Sequence, residues 1–140
     1  MNWRRLQAWA LRLVGLVELF AFAAVVMPSD WMRTGQATLG SAAMPNDPIF
    51  DTVMRQVSFT YGLHGVGMWL IAADVTRYRP LVILSAVGYL LAAPAFFAIE
   101  RVNGMPWSWS AGNSGSCLLV GLVLSGLLLA ERAGGKKEVS

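Results

Sequence analysis

Charge is what this chain has least of. Of its 140 residues only 14% are charged and 56% are hydrophobic. An average soluble domain carries about 25% charged residues, so there are too few polar side chains here to cover a soluble core. Cysteine is nearly absent as well: Cys117 stands alone, which excludes an internal disulfide and any Cys/His cluster with metal-ligand spacing. A single histidine, His64, excludes bis-histidine haem ligation within one chain. No GxSxG elbow, P-loop, HExxH or CxxC occurs, so no catalytic residue is assigned by motif. The period-2 alternation of a membrane β-barrel is missing too.

What is present is a set of long apolar runs. Four stand out, at about Leu6–Met27, Asp51–Ala73, Pro80–Ile99 and Gly115–Ala130, with Trp109–Ser116 available to extend the last. About 20 apolar residues cross a hydrocarbon core as a helix, which satisfies its own backbone there. The pattern predicts an all-α chain: an integral membrane four-helix bundle forming one domain over residues 1–140, with a polar tail at 131–140. Pro28 ends the first run, Asp51 is placed to cap the second, and Pro80 suits the first turn of the third. The first loop, Pro28–Phe50, is long, contains Gly35, Gly40, Pro45 and Pro48, and has room for a short interfacial helix. The second, Asp74–Arg79, is a tight turn, and the third is expected over Glu100–Ser114. A cleaved signal peptide is the competing reading of the first run, with Ala21-Phe22-Ala23 as the small-residue site. Arg12 and Glu18 inside that run argue against it.

The net charge of +3 does not signify nucleic-acid binding, because the basic residues flank the apolar runs instead of forming a patch. Arg4, Arg5, Arg12, Arg77, Arg79, Arg132, Lys136 and Lys137 fall on one side, against Arg33, Arg55 and Arg101 on the other. The positive-inside rule then puts both termini in the cytoplasm and predicts a multi-pass protein of the inner membrane. Trp31, Trp107 and Trp109 reach the outer interface, and Trp3, Trp9 and Trp69 the inner one. Anionic lipid headgroups are the natural partners of the basic side.

Glu18 is the most expensive residue in the chain, a carboxylate inside a run long enough to span. At about 1.5 Å of rise per residue, Glu18, Tyr61, His64 and Tyr89 fall within roughly one helical turn of the same depth. These four are the candidates for binding a ligand or a proton. His64 or Tyr61 is the preferred partner of Glu18, and Arg55 the alternative. The same layer could instead only lock helix packing, or face a second subunit. In the third loop Glu100, Arg101, Trp107 and Trp109 form a second candidate site, with membrane anchoring as the plainer reading. Cys117, Gly121 and Ser125 recur every four residues, and Gly62 and Gly65 every three, so close helix contacts are expected. Pro94 breaks a hydrogen bond in the third run and can kink it.

The opening Leu11-Arg12-Leu13-Val14-Gly15-Leu16, the closing Pro28 and the compact hairpins that follow resemble small bacterial four-helix membrane proteins of the DoxX-like group. That resemblance implies a bundle fold and carries no functional residues. Some members are linked to membrane redox complexes, for which Cys117 alone gives no support. The leading functional expectation is an accessory or scaffold protein binding a lipid-like molecule or a partner membrane protein. The alternatives are a small redox or proton-transfer component using Glu18 and His64, with a quinone as cofactor, and an oligomeric transporter or channel subunit.

Overall fold

A computed structural model describes residues 2–38 and 45–136. Gly40 of the first loop and Lys137 in the tail lie outside the described residues. The described residues are all-helical: α1 Trp3–Leu19, α2 Ala21–Val26, α3 Ser29–Thr38, α4 Pro48–Ala73, α5 Arg79–Val102 and α6 Trp107–Lys136. Only Phe20 separates α1 from α2, and the two together make one apolar stretch, Trp3–Val26. Three helices are long and apolar enough to cross a membrane: Trp3–Val26, Arg79–Val102 and Trp107–Gly134. α4, at 26 residues, is long enough but not apolar enough to join them, because Asp51, Arg55, Gln56 and His64 interrupt its hydrophobic side chains.

Several boundaries differ from those read in the sequence, each for a local reason. α4 begins at Pro48, not Asp51, because Asp47 is the cap: its Oδ1 accepts the Ile49 N–H at 2.8 Å. Pro48 is then the first helical residue, where its missing N–H costs nothing. α6 begins at Trp107, eight residues before the apolar run, and continues to Lys136, so the helix extends well into the stretch expected to be a polar tail. The polar Ser108–Ser116 segment is helical even though its composition resembles a loop.

The third loop therefore shrinks to a tight turn. After Val102 the Gly104 N–H bonds to the Arg101 carbonyl at 3.2 Å and the Met105 N–H to the Glu100 carbonyl at 2.9 Å. This crossed pair is a Schellman closure, and Gly104 takes the left-handed φ of +73° that it requires. A side chain at this backbone angle is strained by about 1–2 kcal/mol. Gly104→Ala is accordingly expected to lower stability by about 1 kcal/mol, read as a lower unfolding midpoint in mild detergent. An unchanged midpoint would mean that the turn is not held in this form.

The chain forms two compact units, Leu13–Trp69 and Met1–Arg12 with Leu70–Ser140. In the second of these, α5 packs on α6 at Gly121, where an added Cβ would lie 2.9 Å from the Leu90 backbone nitrogen. Leu11, Val82, Ala86, Ala93, Cys117, Leu124 and Leu128 are buried there, while Leu84, Leu91, Leu119 and Leu129 are exposed, as lipid-facing side chains would be. α5 runs through Pro94 without interruption. In the Leu13–Trp69 unit the end of α1 crosses α4 at two glycines, and an added Cβ at Gly65 would sit 2.7 Å from the Gly15 carbonyl oxygen. Phe22 lies against Gly62 and meets Phe59 edge-on at 5.6 Å. By contrast Gly67 and Gly88 face open space.

Candidate functional site

The close approach of Gly15 and Gly65 determines what happens one turn away. With no side chains between the two backbones, Glu18 on α1 and His64 on α4 come within direct reach. His64 Nδ1 lies 2.8 Å from Glu18 Oε2. Pairing an imidazole with a carboxylate in this way lowers the cost of keeping either in an apolar setting. The two are unequally covered: the Glu18 side chain is 12% exposed, the His64 side chain 52%. The pair thus has a sheltered carboxylate and an imidazole at the molecular surface.

Tyr61 lies one turn before His64 on α4 and is also exposed. Tyr89 belongs to α5 and so to the other unit. Arg55, the alternative partner for Glu18, is engaged elsewhere within its own unit. Its guanidinium donates to the Val25 carbonyl, to the Met27 carbonyl at 2.9 Å and to Ser29 Oγ at 3.3 Å. These carbonyls are at the end of α2, where Pro28 prevents the helix from continuing and leaves them without intrahelical donors. Arg55 is a side-chain cap for that end, with its positive charge at the negative pole of the helix. Asp51, expected as a helix cap, instead accepts from Arg33 Nη2 at 3.1 Å and ties α3 to α4.

The second candidate group is rearranged by the short turn. Glu100 and Arg101 close α5, and Trp107 and Trp109 open α6. Glu100 Oε1 accepts from Asn113 Nδ2, Arg101 donates to the Met105 carbonyl and lies over the Trp107 ring, and Phe97 meets Trp107 edge-on at 5.2 Å. This is the packing of a hairpin end.

One polar cluster has no counterpart in the sequence reading. Glu131, in the last turns of α6, accepts from Arg4 Nε and Arg79 Nη1, each at 2.8 Å, and from Gln7 Nε2 at 3.2 Å. Gln7, only 2% exposed, also donates to the Leu127 carbonyl at 3.3 Å. A signal was available in the sequence, since Glu131 is the only acidic residue that directly follows the fourth apolar run. Among the described residues no three of His, Cys, Asp and Glu gather closely enough to hold a metal ion.

Three helices able to cross a membrane, with apolar side chains exposed along them, define a helical membrane protein. Comparisons with family models, with curated proteins and with solved structures find no match to the chain.

Proposed function

We propose that this chain is an integral membrane accessory protein that uses the Glu18–His64 pair to hold a hydrogen-bonding group of a lipid-like molecule or of a partner membrane protein. In this reading α4 is a fourth span, both termini are cytoplasmic, and the setting is a bacterial inner membrane. The charge asymmetry across the runs supports that topology.

The observation that carries the reading is the half-exposed His64 beside a sheltered Glu18. A structural lock would be expected to bury both partners. An imidazole at the surface, backed by a sheltered carboxylate, presents a polar face that suits a hydrogen-bonding group of a ligand or a neighbouring protein. A second reading, favoured by the 2.8 Å Nδ1–Oε2 contact, is a proton-transfer component in which the pair exchanges a proton with a bound quinone.

Native mass spectrometry of the detergent-purified protein tests the proposal. The wild type is expected to carry a lipid-like molecule or a co-purifying membrane protein. His64→Ala and Glu18→Gln are expected to lose it at unchanged helicity. Retention of a quinone in particular favours the second reading. A bare wild type, or a His64→Ala protein with the same cargo, overturns the proposal.

A further inference from the structure

Positive charge gathers on a concave surface within the unit formed by Met1–Arg12 and Leu70–Ser140. An open cleft of about 540 Å³ runs between the first three turns of α1 and the α4–α5 turn. Arg4, Arg5, Trp9 and Arg12 line one wall, and Asp74 and Thr76 belong to the other. Arg5, Trp9 and Arg12 follow the i, i+4, i+7 spacing that puts side chains on one helix face. The Arg12 guanidinium lies 5.8 Å from the centre of the Trp9 ring, which holds it along that face. Arg4 is already committed through Nε to Glu131. Among the described residues Arg5 is in no ion pair shown by the structure.

Asp74 is the one acidic residue on the cleft. Its Oδ1 is occupied by the backbone of its own turn, accepting the Thr76 N–H at 3.2 Å and the Arg77 N–H at 2.9 Å. With Arg4 paired to Glu131, Arg5 and Arg12 outweigh Asp74 and leave the cleft net positive. Arg4 and Arg5 lie in the first turn of an apolar helix, at the level where a membrane presents phosphates. Arg12 lies two turns further in, within reach of that level by its long side chain, and a ring such as that of Trp9 is favoured at this depth.

We infer that this cleft binds the phosphate of an anionic phospholipid, with Arg5 and Arg12 donating to its oxygens and Trp9 lying against the glycerol. Guanidinium groups suit phosphate because they present several N–H donors in a fixed fork. A cleft of this size admits a headgroup, whereas a diffuse basic surface would attract a membrane without selecting a lipid. The site shares no residue with the Glu18–His64 pair and does not depend on its role.

The test titrates the full chain in a neutral detergent with dihexanoyl-phosphatidylglycerol, dihexanoyl-phosphatidylcholine and inorganic phosphate, reading bound species by native mass spectrometry. The anionic lipid is expected to bind about tenfold tighter than the zwitterionic one. The double variant R5Q/R12Q is expected to lose about that factor, while R77Q, an exposed arginine outside the cleft, keeps wild-type affinity. R5Q alone changes only an exposed side chain and serves if the double variant does not fold; it is expected to lose part of the same affinity. Inorganic phosphate that fails to displace the lipid identifies the membrane as the source. Displacement by inorganic phosphate at equal concentration overturns the lipid assignment in favour of a soluble phosphate anion. Equal binding of the two lipids, or an R77Q loss matching that of the cleft variants, overturns the site altogether.

Discussion

Gly65→Leu is expected to prevent α1 and α4 from reaching their packed arrangement. An added Cβ at this position would lie 2.7 Å from the Gly15 carbonyl oxygen, 2.9 Å from the Leu19 nitrogen and 3.1 Å from the Glu18 Cβ. Two of those three atoms belong to backbone, so no rotamer change can make room. Overpacking of this kind costs about 1–3 kcal/mol, and more where the backbone itself must move. The variant should therefore unfold at a much lower temperature in mild detergent, or fail to accumulate. It should also separate Glu18 from His64, since their 2.8 Å contact depends on the same approach. Gly67→Leu is the control, because nothing lies within 4 Å of a Cβ there. Equal stability of the two variants would mean that the helices do not cross at Gly65.

The second large effect concerns Glu131. Removing its carboxylate as Glu131→Ala leaves the guanidiniums of Arg4 and Arg79 converging without a counter-charge and takes one acceptor from the buried Gln7. Breaking a fully buried pair costs about 3–5 kcal/mol. Here the Arg4 side chain is 56% exposed and the Arg79 side chain 34%, against 13% for Glu131. Solvent screening brings the expected loss to about 2 kcal/mol. Glu131→Gln, which keeps an acceptor for Gln7 but not the charge, should fall between Ala and wild type. The difference should shrink in high salt, as partly exposed charges do. Wild-type stability of Glu131→Ala at low salt would show that the cluster contributes nothing to holding the helices.

These two positions were unequally legible in the sequence. The spacing of Gly62 and Gly65 marks a close helix contact, because small residues at regular intervals have few other uses in an apolar helix. The Glu18–His64 contact follows from counting depth along two antiparallel runs, since costly polar groups in lipid seek each other. Glu131 was hidden because hydropathy ends at Ala130, and a polar segment after an apolar run resembles a tail. The helix continues because Arg4, Arg79 and Gln7 hold its last turns, which is a tertiary effect that no local window contains. The start of α6 was partly legible, since Trp109–Ser116 was available to extend the last run, although Ser, Gly and Asn there are poor helix formers whose weak preference tertiary packing overrides. Yet Gly104 followed by Pro106 has the form of a helix stop and restart. Arg55, the alternative to His64 or Tyr61 as partner of Glu18, meets instead the negative end of α2.

The polarity of α4 bears on how the protein is made. Trp3–Val26, Arg79–Val102 and Trp107–Gly134 are long and apolar enough to cross a membrane. α4 is not among them, because Asp51, Arg55, Gln56 and His64 interrupt its apolar side chains. Three of these groups have a counterpart contributed by an earlier part of the chain: Glu18 for His64, the α2 carbonyls for Arg55, and Arg33 for Asp51. All of these counterparts are synthesised before α4 emerges. On the proposed topology, in which α4 is a fourth span, its insertion should follow the order of the chain, with α1 to α3 retained nearby until their partner arrives.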